Sequence, residues 1–339
     1  MIKKRVTIRE VAHAAGVSTQ TVSRVLNDRP DVADDTRERV REIIADLGYS
    51  PNVLARSLIQ GRTHTLGVVG YGLSYYGPAR VLTGIERRAN EMGYSLLLSL
   101  LREPETTTGM EVYQNLIDRQ VDGIIWAVPE IGTNREWAAQ QIQKLHVPVV
   151  FINMQPIDGA AVAAVDNFAG GHIATRHLLD QGYRKIGIIS GPPSWWEARE
   201  RLSGWRNAMN GAGIKDLDAL QVTGDWYPSS GARGLEELLR RTPDLEAVFA
   251  CNDPMAAGAL QAARRLGRRV PHEIAIVGYD DVPEAAYYEP ALTTIRQPLA
   301  ELGGQAVDQL IRLVKNPETN CEPVWLHPQL IVRESSVRS

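Results

Sequence analysis

The sequence predicts an α/β protein with a small all-α head, which contains a helix-turn-helix, and a body of two parallel-sheet α/β lobes. Two observations predict this division. The first 50 residues hold three short amphipathic helical patterns separated by turn signals. From Leu66 onward, short apolar runs alternate with helical stretches, which is the pattern of parallel sheets flanked by helices.

The composition excludes several classes of protein. Of 339 residues, 44% are apolar and 23% are charged, as in ordinary globular proteins. No run of about 18 apolar residues predicts a membrane span, and no apolar segment follows the basic residues 3–5 as a secretion signal would require. The cysteines, Cys251 and Cys321, form neither a metal motif nor a disulfide framework. We therefore expect a cytoplasmic protein with no metal and no membrane partner.

The charge is unevenly distributed along the chain. Residues 1–62 contain 11 lysines and arginines and 8 acidic residues, whereas the whole chain has a net charge of −3. The mildly basic head and acidic body favour a head that meets phosphate groups. Because the excess is small, a solvated charged face is an alternative explanation.

The first two predicted helices form a helix-turn-helix unit. Helix 8–14 begins with a capping box between Thr7 and Glu10, and Gly16 permits the tight turn after it. Helix 19–26 turns its apolar residues inward and its polar residues outward. A second helix of this kind enters the major groove of DNA.

The outward side chains of this helix suit the reading of DNA. Gln20 can pair with adenine, Arg24 with guanine, and Thr19 can touch a thymine methyl group. The hydroxyl groups suited to phosphate oxygens are those of Ser18, Thr21 and Ser23. A structural helical hairpin is the alternative, but the capping box, the turn glycine and the polar face occur together in order.

Three runs of the head carry a specific resemblance: residues 6–27 (VTIREVAHAAGVSTQTVSRVLN), 36–40 (TRERV) and 47–52 (LGYSPN). They resemble the head of the lactose-repressor (LacI/GalR) family of transcriptional regulators, and the resemblance extends over essentially the whole chain. It implies a DNA-binding repressor with a periplasmic-binding-protein-like body. One departure is Ala33, where the family often has a serine that caps the third helix, predicted here over 35–47; Asp34 is the expected cap instead.

The resemblance divides the chain into a helix-turn-helix domain (1–50), a hinge helix and linker (51–63) and a ligand-binding and dimerisation domain (64–339). In the family the hinge folds on double-stranded operator DNA and inserts a leucine into the minor groove. A linker packed on the body is the alternative. The DNA-binding residues implied are Thr7, Ser18, Thr19, Gln20, Thr21, Ser23, Arg24, Asn27, Asn52, Ala55 and Leu58.

The body is expected to consist of two lobes joined by three crossings, near 162–166, 292–296 and 322–325. These crossings assign 64–163 and 295–323 to the N-lobe. They assign 164–294 and 324–335 to the C-lobe. In the family the N-lobe is the operator-side, dimerising half.

Polar and aromatic residues follow several predicted strands of the body. Carboxylate, amide and guanidinium groups form paired hydrogen bonds with sugar hydroxyls, and an aromatic face covers a pyranose. In loops such residues are more often turn or cap residues, but the resemblance favours ligand contact. The ligand-binding residues expected are Tyr75, Pro78, Glu103, Asn153, Trp195, Arg199, Trp226, Asn252, Asp280 and Gln297.

The expected effector is a mono- or disaccharide such as a galactoside or glucoside. Trp226, in a Gly-Asp-Trp context, resembles the sugar-binding rather than the purine-binding members of the family. Asn153 and Glu103 stand where the family has charged pocket residues of other types, so the identity of the sugar stays open. The sequence also leaves open whether Trp195 and Trp196 line the cleft. It does not decide whether the effector is an inducer or a co-repressor, although induction is the commoner outcome for sugar-binding members of the family.

Other functions receive less support from the sequence. No glycine-rich phosphate-binding motif stands where a predicted strand meets a predicted helix, and no residues have the spacing of a catalytic triad. We therefore expect no catalytic residue and no cofactor. A solute-binding protein for sugar transport and a purine-responsive regulator are the alternatives. The C-terminal residues 330–339 hold no leucine heptad, so we expect a homodimer, which reads a pseudo-palindromic operator.

Overall fold

The computed structural model describes residues 6–49, 62–103, 109–320 and 322–337. The chain divides between Thr63 and His64 into two compact units, here called the head and the body. The predicted hinge residues Asn52, Ala55 and Leu58 lie outside the described residues. Within the described ranges, no helix is long and apolar enough to cross a membrane.

Three helices enclose the small apolar core of the head. They are α1 (Ile8–Ala15), α2 (Thr19–Leu26) and α3 (Asp34–Leu47). Each helix contributes buried valines to this core: Val11 from α1, Val22 and Val25 from α2, and Val40 from α3. The predicted amphipathic faces are therefore confirmed, and the polar face of α2 points away from this core.

Side-chain caps begin the first two helices. The predicted capping box is confirmed, since the Thr7 backbone N–H donates to Glu10 Oε2 at 2.7 Å and the Thr7 oxygen accepts from the Glu10 N–H. Ser18 Oγ accepts from the Thr21 N–H at 3.0 Å and begins α2. Gly16 lies between the two helices at a φ of 64°, a left-handed conformation that glycine adopts without steric cost.

The expectation that Asp34 caps α3 is wrong. Asp34 is already the first helical residue, and Ala33 precedes it without any side-chain cap. Asp34 and Asp35 instead place two carboxylates in the first turn, where the helix dipole favours negative charge.

The body alternates strands and helices, which confirms the predicted α/β class. Its strands are β1 (Thr65–Gly70), β2 (Ser95–Leu100), β3 (Gly123–Ala127), β4 (Val149–Ile152), β5 (Ala161–Val165), β6 (Ile186–Ser190), β7 (Gln221–Thr223), β8 (Ala247–Ala250), β9 (Ala275–Asp280), β10 (Thr293–Arg296), β11 (Val324–Leu326) and β12 (Gln329–Ile331). Its helices are α4 (Tyr76–Glu91), α5 (Gly109–Ile117), α6 (Asn134–Gln141), α7 (Asn167–Asp180), α8 (Trp196–Gly211), α9 (Pro228–Arg241), α10 (Asp253–Arg265) and α11 (Leu299–Lys315). Short 3-10 turns lie at Ile142–Lys144, Asp218–Leu220, Pro283–Tyr287 and Glu334–Ser336.

The strands form two six-stranded sheets, one in each lobe. The N-lobe sheet has the order β11-β5-β4-β3-β1-β2 and is parallel throughout. The C-lobe sheet has the order β12-β10-β9-β8-β6-β7, in which only β12 runs antiparallel, to β10. The strands β4, β5, β6, β8 and β9 are buried at every position, as parallel strands covered by helices on both faces must be.

The chain crosses between the lobes three times, and two crossings lie further along the chain than predicted. The first follows β5, within the predicted 162–166. The second follows β10, because residues 293–296 pair with β9 of the C-lobe sheet. The third follows Leu326, because β11 pairs with β5 of the N-lobe. The predicted lobe boundaries at 164, 295 and 324 are therefore each wrong by a few residues, since β5 also keeps residues 164 and 165 in the N-lobe sheet.

Glycines allow α7 and α8 to pack backbone against backbone. A Cβ atom added to Gly171 would overlap the Arg201 carbonyl oxygen, and one added to Gly204 would overlap the Phe168 carbonyl oxygen. This close packing brings Arg201 of α8 beside Asn167, the first residue of α7.

Candidate functional site

Five of the eight head residues that are predicted to contact DNA and lie within the described residues are on α2. Thr19, Gln20 and Arg24 are exposed, and Thr21 and Ser23 are half-buried. The first turn of α2 holds no acidic residue. Its amide groups and the positive end of its dipole therefore favour an anion such as a phosphate.

Some of these polar side chains already have partners within the head. Asn27 Nδ2 donates to the Ser23 carbonyl oxygen at 2.7 Å, and Thr7 belongs to the capping box. Arg24 Nη1 lies 3.4 Å from Asp31 Oδ2, with both side chains about half exposed. Such an exposed ion pair contributes little energy, so the Arg24 guanidinium can exchange Asp31 for another partner.

A cavity lies in the body between the two lobes, with a volume of about 920 Å³ including its open mouth. Its walls come from the carboxyl ends of several strands and the first turn of α4, where ligands bind in parallel α/β folds. Eight of the residues predicted to hold a ligand line it: Tyr75, Pro78, Asn153, Trp195, Trp226, Asn252, Asp280 and Gln297.

The other two predicted residues, Glu103 and Arg199, do not line the cavity. Glu103 is exposed beyond the end of β2. Arg199 of the C-lobe turns towards Glu130 of the N-lobe, with its Nη2 2.8 Å from Glu130 Oε1. The expected ligand contact of Arg199 is thus replaced by an ion pair that joins the two lobes.

The arginine of the cavity is Arg201, which the sequence reasoning missed. Its Nε donates to Asn167 Oδ1 at 2.8 Å, and its Nη1 donates to the Cys251 carbonyl oxygen at 2.5 Å. The guanidinium also stacks on the Tyr279 ring, 3.8 Å from its centre. These contacts fix a buried cation at the cavity wall, which is the geometry needed to hold a polar ligand group.

A second missed residue is Glu197, whose carboxyl group lines the cavity. Asn153 Nδ2 donates to Glu197 Oε1 at 2.8 Å, across the two lobes. Burial raises the pKa of Glu197 to about 7, with a smaller contribution from Asp280, while Arg201 opposes the shift. Near neutral pH this group can therefore either accept or donate a hydrogen bond.

Asp280 and Gln297 form a second polar pair at the cavity. Gln297 Nε2 donates to Asp280 Oδ1 at 2.7 Å. Burial raises the pKa of Asp280 to about 6, against the opposing effect of Arg201. Within the described residues, Gln297 Oε1 is buried without a hydrogen-bond partner, so this pair offers a free acceptor.

Three non-glycine residues of the cavity have strained backbones. Their φ angles are 51° for Asn153, 74° for Trp226 and 118° for Asp280. Each conformation is unfavourable for an L-residue and persists only where the surroundings impose it. All three residues line the cavity, and such strain is common at ligand sites.

Asn252 both caps a helix and lines the cavity, the two roles that the sequence left open for it. Its Oδ1 accepts from the Met255 N–H and caps α10, as a loop residue commonly does. Its Nδ2 donates to the Trp226 carbonyl oxygen at 2.9 Å. Asn252 therefore both begins a helix and fixes the tryptophan that stands in the cavity wall.

The tryptophan pair divides between two environments. Trp195 lines the cavity, whereas Trp196 is 4% exposed and packs near Trp325 of the N-lobe, 6.1 Å between ring centres. Among the described residues, no group of three or more metal-ligating side chains is arranged to hold an ion. The site thus offers hydrogen bonds and aromatic surface.

The chain matches two family profiles. Residues 7–52 match the profile described as "Bacterial regulatory proteins, lacI family", and residues 175–336 match "Periplasmic binding protein-like domain". The first match covers the helix-turn-helix of the head, and the second covers most of the C-lobe and part of the N-lobe.

Similar proteins include two full-length repressors. The ribose operon repressor of Escherichia coli (strain K12) is 36% identical over 333 residues, covering 97% of this chain and 99% of that protein. The HTH-type transcriptional repressor PurR of Edwardsiella ictaluri (strain 93-146) is 36% identical over 335 residues, covering 97% and 96%.

Solved structures of similar fold also cover nearly the whole chain. The lac repressor dimer bound to operator and the anti-inducer ONPF has a TM-score of 0.87 at 31% identity, covering 99% of this chain and 100% of that one. A complex of the transcriptional regulator CelR with cellobiose has a TM-score of 0.71 at 32% identity, covering 98% and 100%.

Proposed function

This chain belongs to the lacI family of bacterial regulatory proteins, and we propose that it is a repressor whose affinity for operator DNA is set by a glycoside bound between the lobes. The observation that carries the proposal is the cavity itself. Its walls combine a fixed guanidinium, two carboxyl groups and several aromatic rings in one space.

The polar groups of the cavity suit a sugar. Arg201, Glu197 and Asp280 can each form hydrogen bonds with neighbouring hydroxyl groups, as charged and planar side chains do. The Trp226 ring adds a flat apolar surface for the face of a pyranose. A further donor, Trp226 Nε1, is buried without a partner among the described residues.

A purine is the second candidate effector, and the aromatic walls favour it too. The similar protein PurR is an HTH-type transcriptional repressor, and the chemical argument for a purine is that a flat base can stack on Trp226 or Trp195. The sugar is preferred because two carboxyl groups and three carboxamides line the cavity, which matches a ring of hydroxyl donors and acceptors better than a base edge.

Control of operator binding requires that the ligand prefer one arrangement of the lobes. The lobes already contact each other through Glu130 and Arg199 and through Asn153 and Glu197. A ligand held by Asn153 on one side and Asp280 on the other biases this arrangement. Through a homodimer, the bias changes how two heads fit two half-sites, with a coupling of about 1–3 kcal/mol.

Thermal denaturation with a ligand panel tests the proposed effector. A ligand at about 100 times its Kd stabilises a protein by about 2.7 kcal/mol, which raises the melting temperature measurably. We expect a glucoside or galactoside to produce this shift and adenine, guanine and hypoxanthine to produce none. A shift with the purines alone would replace the sugar by a purine effector.

Arg24→Ala is expected to weaken operator binding by about 1–3 kcal/mol and to relax the preference at one base pair, because a guanine contact is lost. The operator is first obtained by selection from random DNA, and the affinity is then measured by fluorescence anisotropy on all four bases at each position. Arg24→Lys is the matched control, since it keeps the charge and removes the bidentate fork. Equal losses on every sequence would show that Arg24 contacts phosphate only.

Glu197→Gln is expected to raise the melting temperature at pH 8 more than at pH 5. Burial raises the pKa of Glu197 from 4.5 to about 7, so the folded protein holds a proton that the unfolded chain releases between these values. Stability therefore falls as the pH rises through this window, by about 1–3 kcal/mol in total. Glutamine removes the ionisation and keeps an oxygen for Asn153. The same change at both pH values would show that Glu197 titrates normally.

A further inference from the structure

The cavity has two halves of different chemistry. The hydrogen-bonding side chains of Glu197, Arg201, Asp280 and Gln297 are all buried. The other half is formed by the rings of Tyr75, Trp195 and Tyr227, which line the same cavity. Trp226 connects the two halves, since its ring packs 5.7 Å from the Arg201 guanidinium and 5.7 Å from the Trp195 ring.

The aromatic rings form a continuous row. Trp195 lies edge-on to Tyr75, with 5.6 Å between ring centres, and Tyr75 lies 5.9 Å from Tyr227. Exposure increases along the row, because Trp226 is 7% exposed, Trp195 and Tyr75 are half-buried, and Tyr227 is 50% exposed. The row therefore leads from the buried end of the cavity to its mouth.

These three rings belong to residues at helix N-cap positions, where the side chain usually caps the helix. Tyr75, Trp195 and Tyr227 are the N-cap residues of α4, α8 and α9, and none of them forms a side-chain cap. Serine, threonine, aspartate and asparagine are preferred there, because their side chains bond to free amide groups. The chain follows that preference at the starts of α7 and α10, with Asp166 and Asn252. At these three helix starts, the N-cap side chain therefore adds an aromatic ring to the cavity wall and forms no capping hydrogen bond.

The Tyr75 phenol in the aromatic half is uncharged over the physiological range. Burial, followed by a hydrogen bond to Tyr227, raises the pKa of Tyr75 to about 12, so this phenol stays protonated. A neutral, flat and partly apolar group fits such a surface better than a charged one. The row lines the same cavity as the polar groups, so a ligand that extends from those groups towards the mouth meets these rings.

We propose that the row of Trp195, Tyr75 and Tyr227 is a subsite for a second ring, so that the effector is a two-ring glycoside: one pyranose lies among the polar groups, and a second pyranose or an aryl group lies on the aromatic row. This inference rests on the proposed function, because it assumes a sugar in the polar half. It adds the size of the effector and the residues that select it.

Isothermal titration of the full-length protein tests the proposal. The ligands are methyl glycosides, phenyl glycosides and disaccharides of glucose and galactose, in both anomeric forms. We expect a two-ring ligand to bind about 10-fold more tightly than the methyl glycoside of the same sugar, because only its second ring covers the aromatic row. The phenyl and disaccharide arms show whether the second ring is aryl or pyranose.

Tyr227→Ala makes the test specific, since this exposed side chain can be removed without opening the core. We expect it to lower the affinity for the two-ring ligand about 10-fold and to remove the preference over the methyl glycoside. Tyr227→Phe should restore the preference because it keeps the ring. Tyr287→Ala is the matched control, since Tyr287 is 88% exposed and lies outside the cavity.

The outcomes separate this inference from the proposed function. Equal affinities for methyl and two-ring glycosides would overturn the second-ring subsite and leave a sugar effector in place. An equal loss for both ligands in Tyr227→Ala would overturn it as well. Failure of every sugar to bind would overturn the proposed function and this inference together.

Discussion

Trp226→Ala is expected to abolish the response of operator binding to glycosides while leaving operator binding in their absence intact. The Trp226 ring fills the wall so closely that a Cβ atom on Gly191 would overlap it. The Arg201 guanidinium lies over the Trp226 ring, and Asn252 Nδ2 donates to the Trp226 carbonyl oxygen, so both residues hold the tryptophan in the C-lobe wall of the cavity. Alanine removes the ring and leaves a hole between the polar and aromatic halves of the cavity.

The measurement is operator affinity with and without the glycosides that bind the unaltered protein. Truncation of a buried tryptophan costs about 3–5 kcal/mol of stability, so operator binding without ligand serves as the control for folding. Trp226→Phe keeps most of the aromatic surface and is expected to respond with reduced sensitivity. A normal response from Trp226→Ala would remove Trp226 from the ligand site.

Removal of residues 1–61 is expected to abolish operator binding and to leave glycoside affinity within about 2-fold of the full-length value. The head and the body are separate compact units, and each has its own buried apolar cluster. The cavity is lined by body residues alone. Titration calorimetry and an anisotropy titration on the selected operator measure the two activities.

A point variant of the full-length chain is the control for this truncation. Gln20→Ala combined with Arg24→Ala removes two exposed side chains of α2 and leaves the buried core of the head untouched. We expect it to lose specific operator binding and to bind glycosides normally. Loss of glycoside binding in the truncated but folded body would contradict the division of functions between the two units.

Local sequence patterns predicted the elements of this fold but not every connection. The predicted bounds 19–26 for α2 agree with the structure, because this helix is a short periodic run between clear turn signals. The third crossing was misplaced since β11 and β12 are three residues long and only two residues apart. Their sheets are decided by distant partners, which no local pattern records.

The sequence also did not identify every polar residue of the cavity. Arg199 and Arg201 are two positions apart, and the family resemblance alone did not separate them. Helical periodicity does, because Arg201 and the fully buried Trp205 are four residues apart on one face of α8, whereas Arg199 lies on another. The same periodicity places Glu197, four residues before Arg201, on this face, but its partner Asn153 lies 44 residues away in the other lobe and no local pattern records it.

The measurement that tests the central claim most directly is the operator affinity of the full-length protein, titrated at fixed salt with and without a saturating glycoside. We predict that the sugar that stabilises the protein changes the operator Kd by about 5–150-fold, and that the change disappears in Trp226→Ala. An unchanged operator Kd in the presence of a bound glycoside would contradict the claim that the cavity controls DNA binding.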